Sequence, residues 1–100
     1  MIERSGIKTH KLLFPLGHVV ATQGAIRALE ESDEMPGGFL ARHQSGDWGD
    51  VCAEDRAENA LALKKGFRIM SVYRTAKGET LWLISEADRS STCLLLPEEY

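Results

Sequence analysis

Apolar residues along this chain fall into blocks whose periods change twice. Leu12-Leu13-Phe14 and Val19-Val20 form apolar pieces around Pro15 and Gly17. Proline cannot donate to a sheet ladder, so the pattern predicts an edge strand, or two short pieces with a bend. Thr22 then suits the N-cap of a helix over residues 23–32, with Ala25, Ile26 and Leu29 as a narrow apolar stripe. Glu30, Glu31, Asp33 and Glu34 crowd its carbonyl end, where the helix dipole disfavours anions, and predict fraying. Pro36 opens a second helix over 36–44 with Phe39 and Leu40 turned inward. A third helix starts with Glu54 and Asp55 and stops at Lys64-Lys65 before Gly66. Acid first, base last and glycine just beyond delimit it well. Ala57, Ala60 and Leu61 are its expected buried stripe.

The last third switches to a period of two. Residues 67–75 alternate, Ala76-Lys77-Gly78-Glu79 is a tight turn, and residues 80–85 and 92–96 read as two more strands. Leu94-Leu95-Leu96 is continuously apolar, as in a strand covered on both faces. The expected fold class is α+β: a four-stranded, mainly antiparallel sheet with three helices packed on one side, in the order β-α-α-α-β-β-β. Residues 12–100 form a single domain in this reading, preceded by a disordered segment over 1–11.

Charge narrows the range of partners. The net charge of −3 is distributed as +3 over residues 1–29, −7 over 30–58 and +1 over 59–100. An acidic middle argues against a broad duplex nucleic-acid surface, which needs Lys and Arg to neutralise phosphates. It fits either a solvated acidic face or contact with a basic partner protein. Cys52 and Cys93 make no disulfide framework. The N-terminus lacks the apolar core of a signal peptide, and no run approaches the roughly 20 apolar residues that span a bilayer. The expectation is a cytoplasmic, reduced protein that does not contact membranes.

The densest chemistry lies in Arg42-His43-Gln44-Ser45-Gly46-Asp47-Trp48-Gly49-Asp50. Arg42 and His43 could close the second helix against its carbonyl end, or His43 could carry a proton near neutral pH. Asp47 suits a turn held by backbone amides, and Asp50 suits a cap for the third helix. Trp48 is either a plug on the core or an exposed anchor for a partner. A second cluster, Ser85-Glu86-Ala87-Asp88-Arg89-Ser90-Ser91-Thr92, puts two acids, an arginine and four hydroxyls on one strand connection. An Asp88–Arg89 or Glu86–Arg89 ion pair would stiffen it. Alternatively, Glu86 and Asp88 act as acid, base or oxygen ligands beside His43. His18, His43, Cys52 and Cys93 show no close ligand spacing for zinc, and no nucleophile elbow or phosphate-binding loop occurs. No metal and no cofactor are expected.

Leu13-Phe14-Pro15-Leu16-Gly17-His18-Val19-Val20-Ala21-Thr22 is one of three distinctive phrases. The others are Ala41-Arg42-His43-Gln44-Ser45-Gly46-Asp47-Trp48-Gly49-Asp50 and Glu86-Ala87-Asp88-Arg89-Ser90, the last followed by Leu94-Leu95-Leu96-Pro97-Glu98-Glu99-Tyr100. Together they resemble the small "plasmid-related" proteins of bacterial plasmids and integrative elements, over about residues 12–100. Gln23 stands where many members have proline at the first helical position. Members are sometimes labelled as a type I restriction subunit. That label does not carry over, because a methyltransferase subunit needs a cofactor-binding domain larger than this whole chain. The resemblance implies an accessory protein of a mobile element and assigns no activity. Protein binding, with Arg42, Trp48 and Asp50 on the contact surface, is the leading expectation, and interference with a host defence system is a further one. The alternative is a small hydrolase or nuclease-like enzyme using His43 with Asp47, Glu86 or Asp88, and Arg89 for an anion. A homodimer formed through sheet edges is a third.

Overall fold

The computed structural model describes residues 12–100. The disorder expected over 1–11 lies outside the described residues. The elements run β1 (His18–Ala21), α1 (Gln23–Glu31), α2 (Pro36–Gln44), α3 (Ala53–Lys65), β2 (Ile69–Arg74), β3 (Thr80–Ser85), β4 (Ser91–Leu95) and a 3-10 turn, Pro97–Glu99. The strands form one sheet in the order β1-β4-β3-β2. The β2–β3 and β3–β4 pairs are antiparallel, and β1 lies parallel to β4 with His18 opposite Ser91. The fold is therefore α+β with a mixed, mostly antiparallel sheet, as the pattern predicts. Residues 12–14 are not strand; only the piece after Gly17 joins the sheet.

Alternation divides the sheet into two faces. Ile69, Ser71, Tyr73, Leu81, Leu83, Ser85, Thr92 and Leu94 point one way and are almost fully enclosed. All three helices pack on that face. Ala25, Ala28 and Leu29 of α1 join Leu83 and Leu94, Phe39 of α2 meets the Tyr73 ring at 5.5 Å, and Ala62 of α3 clusters with Ile69. Leu94, Leu95 and Leu96 are all buried, as their continuous run predicts.

The helix ends follow from local chemistry. Thr22 caps α1 by accepting from the Ala25 amide at 3.2 Å. The C-terminal chain supplies a second cap: Glu99 accepts from the Gly24 amide at 2.9 Å and from the Thr22 hydroxyl. A carboxylate at this end suits the dipole. The other end of α1 is not frayed, despite its acids. Asp33 takes a left-handed φ of 59°, Glu34 N–H donates to Leu29 O and Asp33 N–H to Glu30 O, which satisfies the last carbonyls in a Schellman motif. Helix α3 ends on Gly66 at a φ of 78°, as expected.

Two faces differ from expectation. In α1, Ile26 is largely exposed and Ala28 is buried instead. In α3 the expected stripe of Ala57, Ala60 and Leu61 faces out, with Leu61 47% exposed, while Asn59 and Ala62 face in. The cause is Asn59, whose side-chain amide donates to Met70 O at 2.8 Å and whose oxygen accepts from Met70 N at 3.2 Å. That double bond to the β2 edge sets the rotation of the helix.

The β2 edge is closed again further along. Val72 N–H donates to Trp48 O at 3.0 Å, and Asp50 N–H donates to Val72 O at 2.7 Å, so residues 48–50 act as a one-bridge strand. This close approach needs Gly49. Its φ is 77°, and a Cβ there would lie 2.0 Å from Val72 O. Gly49→Ala should therefore cost about 3 kcal/mol or more by urea unfolding. Gly37→Ala, in α2 with open space around it, should instead stabilise by roughly 0.5–1 kcal/mol. Equal effects from the two substitutions would contradict this account.

Candidate functional site

Helix α2 aims His43 into the core above the sheet, where its ring is 0% exposed. Both ring nitrogens are engaged: Nδ1 with Ser71 Oγ at 2.5 Å and Nε2 with Ser85 Oγ at 3.0 Å. Ser85 Oγ in turn lies 2.6 Å from Thr92 Oγ1, and the Thr92 hydroxyl donates to Leu16 O at 2.8 Å. The last bond fixes all the others. A carbonyl can only accept, so Thr92 has spent its proton and must accept from Ser85. Ser85 has then spent its own proton and accepts from Nε2–H of His43. Nδ1 is left as an acceptor for the Ser71 hydroxyl. One consistent chain of donors runs from Ser71 to Leu16, and it requires a neutral imidazole with its proton on Nε2.

The surroundings enforce the same state. Burial, aided by the nearby Arg89 cation, pushes the His43 pKa down from 6.5 to about 4. Phe14 and Trp48 stand edge-on to the ring at 5.2 and 6.0 Å. His43 is thus a core histidine, with both ring nitrogens bonded inside the fold.

The neighbouring side chains have structural tasks of their own. Arg42 donates from Nε to Asp47 Oδ2 at 2.7 Å, and its guanidinium lies 4.4 Å from the centre of the Tyr73 ring. That bond holds the Asp47 carboxyl below its ordinary value. Asp47 also accepts from the Gly49 amide at 3.3 Å, and its backbone carbonyl accepts from the Tyr73 hydroxyl. Trp48 is 5% exposed and stacks on Phe14. Of its two alternatives the plug holds, so Trp48 is corrected from a surface contact to a core residue. Asp50 is exposed but does not cap α3, whose N-cap is Cys52 with no side-chain bond. Arg42, also exposed, braces the loop.

The second cluster is corrected similarly. Arg89 takes a φ of 61° and donates to Ala62 O, Phe67 O and Glu86 O at 3.1, 2.7 and 2.9 Å. It binds the carbonyl end of α3, where a cation is favoured, rather than either expected carboxylate. Glu86 pairs with Arg68 at 3.4 Å. Asp88 accepts from the Ser90 amide at 3.0 Å, and bonds from Ser90 hold its carboxyl below the ordinary range.

The two clusters do meet, but through hydroxyls in the core, not through carboxylates in a cleft. The sequence offered Ser85 and Thr92 among the hydroxyls of the second cluster; Ser71 carried no signal beyond being a small polar residue on the inward face of a strand. Among the described residues no group of three His, Cys, Asp or Glu could hold a metal ion. Cys52 and Cys93 are free. No family model matches the chain, and neither a curated protein nor a solved structure does.

Two measurements check this site. Between pH 6.5 and 4 the unfolded chain binds a proton at His43 that the folded chain refuses, so stability rises with pH across that window and is fully present above it. The His43 share of the loss on acidification should be about 3 kcal/mol, and the slope should be correspondingly shallower in His43→Gln. Trp48→Ala should cost about 3–5 kcal/mol; a change under 1 kcal/mol would place the indole outside the core.

Proposed function

We propose that the protein is a cytoplasmic accessory factor of a bacterial mobile element that acts by binding another protein. Its task in this reading is to interfere with a host defence complex. The resemblance to plasmid-related proteins supports the setting. One structural observation supports binding over catalysis: the side chains with acid–base or anion-binding chemistry are each bonded to other groups of the fold, and His43 is enclosed as well. His43 is enclosed with both nitrogens bonded, Asp47 is held by Arg42, and Arg89 is held by three carbonyls. Acidic side chains at the end of α1, Glu30, Glu31 and Asp33, are exposed instead. They give the partner its expected character, a basic face. Among the described residues no helix is long and apolar enough to cross a membrane.

Affinity capture of the tagged chain from its bacterial host, followed by light scattering on the eluted complex, tests the reading. A discrete partner in fixed ratio is expected, released as salt is raised because screening weakens exposed charge pairs. The same preparation should leave phosphoesters and oligonucleotides intact with magnesium or manganese. Multiple-turnover hydrolysis by the purified chain, with no stoichiometric complex, would replace this reading with the hydrolase one.

A further inference from the structure

The two edges of the sheet are finished differently. On β2, the outward groups of Met70 and Val72 are consumed by Asn59 and by residues 48–50. On β1, His18 N–H donates to Ser90 O and Thr22 N–H to Leu94 O. Bonded residues alternate along a parallel strand, so His18, Val20 and Thr22 face β4, and Val19 and Ala21 turn their N–H and C=O groups outward. No described residue bonds to them. The side chains along this edge are apolar and exposed, Val19 at 43% and Val20 at 46%. An edge of this kind is a template for another strand.

A groove lies directly beside it. It has a volume of about 280 Å³ and is lined by Val19, Val20, Ile26, Leu29, Met35 and Leu94, with Glu30 and Glu34 at its rim. Met35 on its lip is 79% exposed. The rim is negative for two independent reasons. It carries carboxylates, and it is the carbonyl end of α1, whose last turn has no basic residue. Glu34 is partly occupied by the Ala76 amide, whereas Glu30 is exposed.

We propose that the β1 edge and this groove form a strand-addition site for an extended apolar segment of a partner protein, with a Lys or Arg of that segment set against Glu30. Main-chain bonds to Val19 and Ala21 supply the docking, and alternate apolar side chains of the incoming strand enter the groove. The charge selects the occupant. A second copy of this chain would bring the same acidic rim to the contact, whereas a basic flank on another protein complements it. The proposal rests on the protein-binding reading and gives it a site and a partner chemistry.

Selection of a displayed library of random ten-residue peptides on the full chain tests it. Enriched peptides should alternate β-branched apolar residues and carry Lys or Arg at one end. Amide exchange at Val19 and Ala21 should slow at least tenfold when such a peptide is bound. Val19→Pro removes one outward donor without touching the ladder to β4, so it should keep the fold and lose binding at least tenfold. Ala21→Pro serves if Val19→Pro melts early. Glu30→Lys with Glu31→Lys should abolish the preference for basic ends. Acidic or patternless winners, or binding undiminished in a folded proline variant, would overturn the proposal. So would sedimentation showing the chain alone to be a dimer that Val19→Pro dissociates. If the captured partner complex survives Val19→Pro, this site falls while protein binding stands.

Discussion

The fold depends on one directional line of hydrogen bonds through its core. From Ser71 through His43, Ser85 and Thr92 to Leu16 O, each group has one way to satisfy its neighbours. The line ties α2 to β2, β3 and β4 and to the segment that leads into β1. A buried polar group left without its partner costs roughly 1–3 kcal/mol, so each break strands a donor or acceptor in a dry interior. Apolar packing alone would tolerate small slips between helix and sheet. A hydroxyl–imidazole relay with fixed polarity does not, because a shift of one residue turns every strand side chain to the other face.

Seen from that line, the dense polar segment after α2 is a device for finishing a sheet. Arg42 and Asp47 hold the loop, Tyr73 pins its backbone, Trp48 plugs it onto Phe14, and Gly49 lets it lie against Val72. Its product is a protected β2 edge. Arg89 does comparable work at the end of α3, where its guanidinium joins the carbonyls of Ala62, Phe67 and Glu86 and ties the helix end to the β3–β4 connection. Residues that invite a catalytic reading by their type are thus placed by backbone needs. Among the described residues the open edge is the opposite one, where Val19 and Val20 are exposed beside an acidic rim.

The helices and strands were largely legible in the sequence because their signals are local. Thr22, Pro36 and Gly66 act within one turn, and the alternation from Ile69 onward acts within one strand. What was illegible depends on distant groups. The face of α3 turns on Asn59 meeting Met70, the parallel placement of β1 turns on β4, and the second cap of α1 comes from Glu99. The site was harder still. The density of residues 42–50 was visible, but His43 is held in the core by Ser71 and Ser85, which lie 28 and 42 positions further along the chain. Ser71 could not be nominated by a pattern that counts it only as a small strand residue.

Consider finally where the first strand finds its partners. Among the described residues β1 pairs with β4 alone, the Thr92 hydroxyl reaches Leu16 across 76 positions, and Glu99 reaches Gly24 across 75. Strand β1 therefore has no sheet partner among the described residues until β4 has left the ribosome. Contacts this distant carry a large closure entropy and slow the search for the native state. On a vectorially synthesised chain β2 and β3 are both available before β4, which brings β1 into the sheet. Residues 16–24 are thus tied to residues 91–99, and that tie cannot form before both segments have been synthesised.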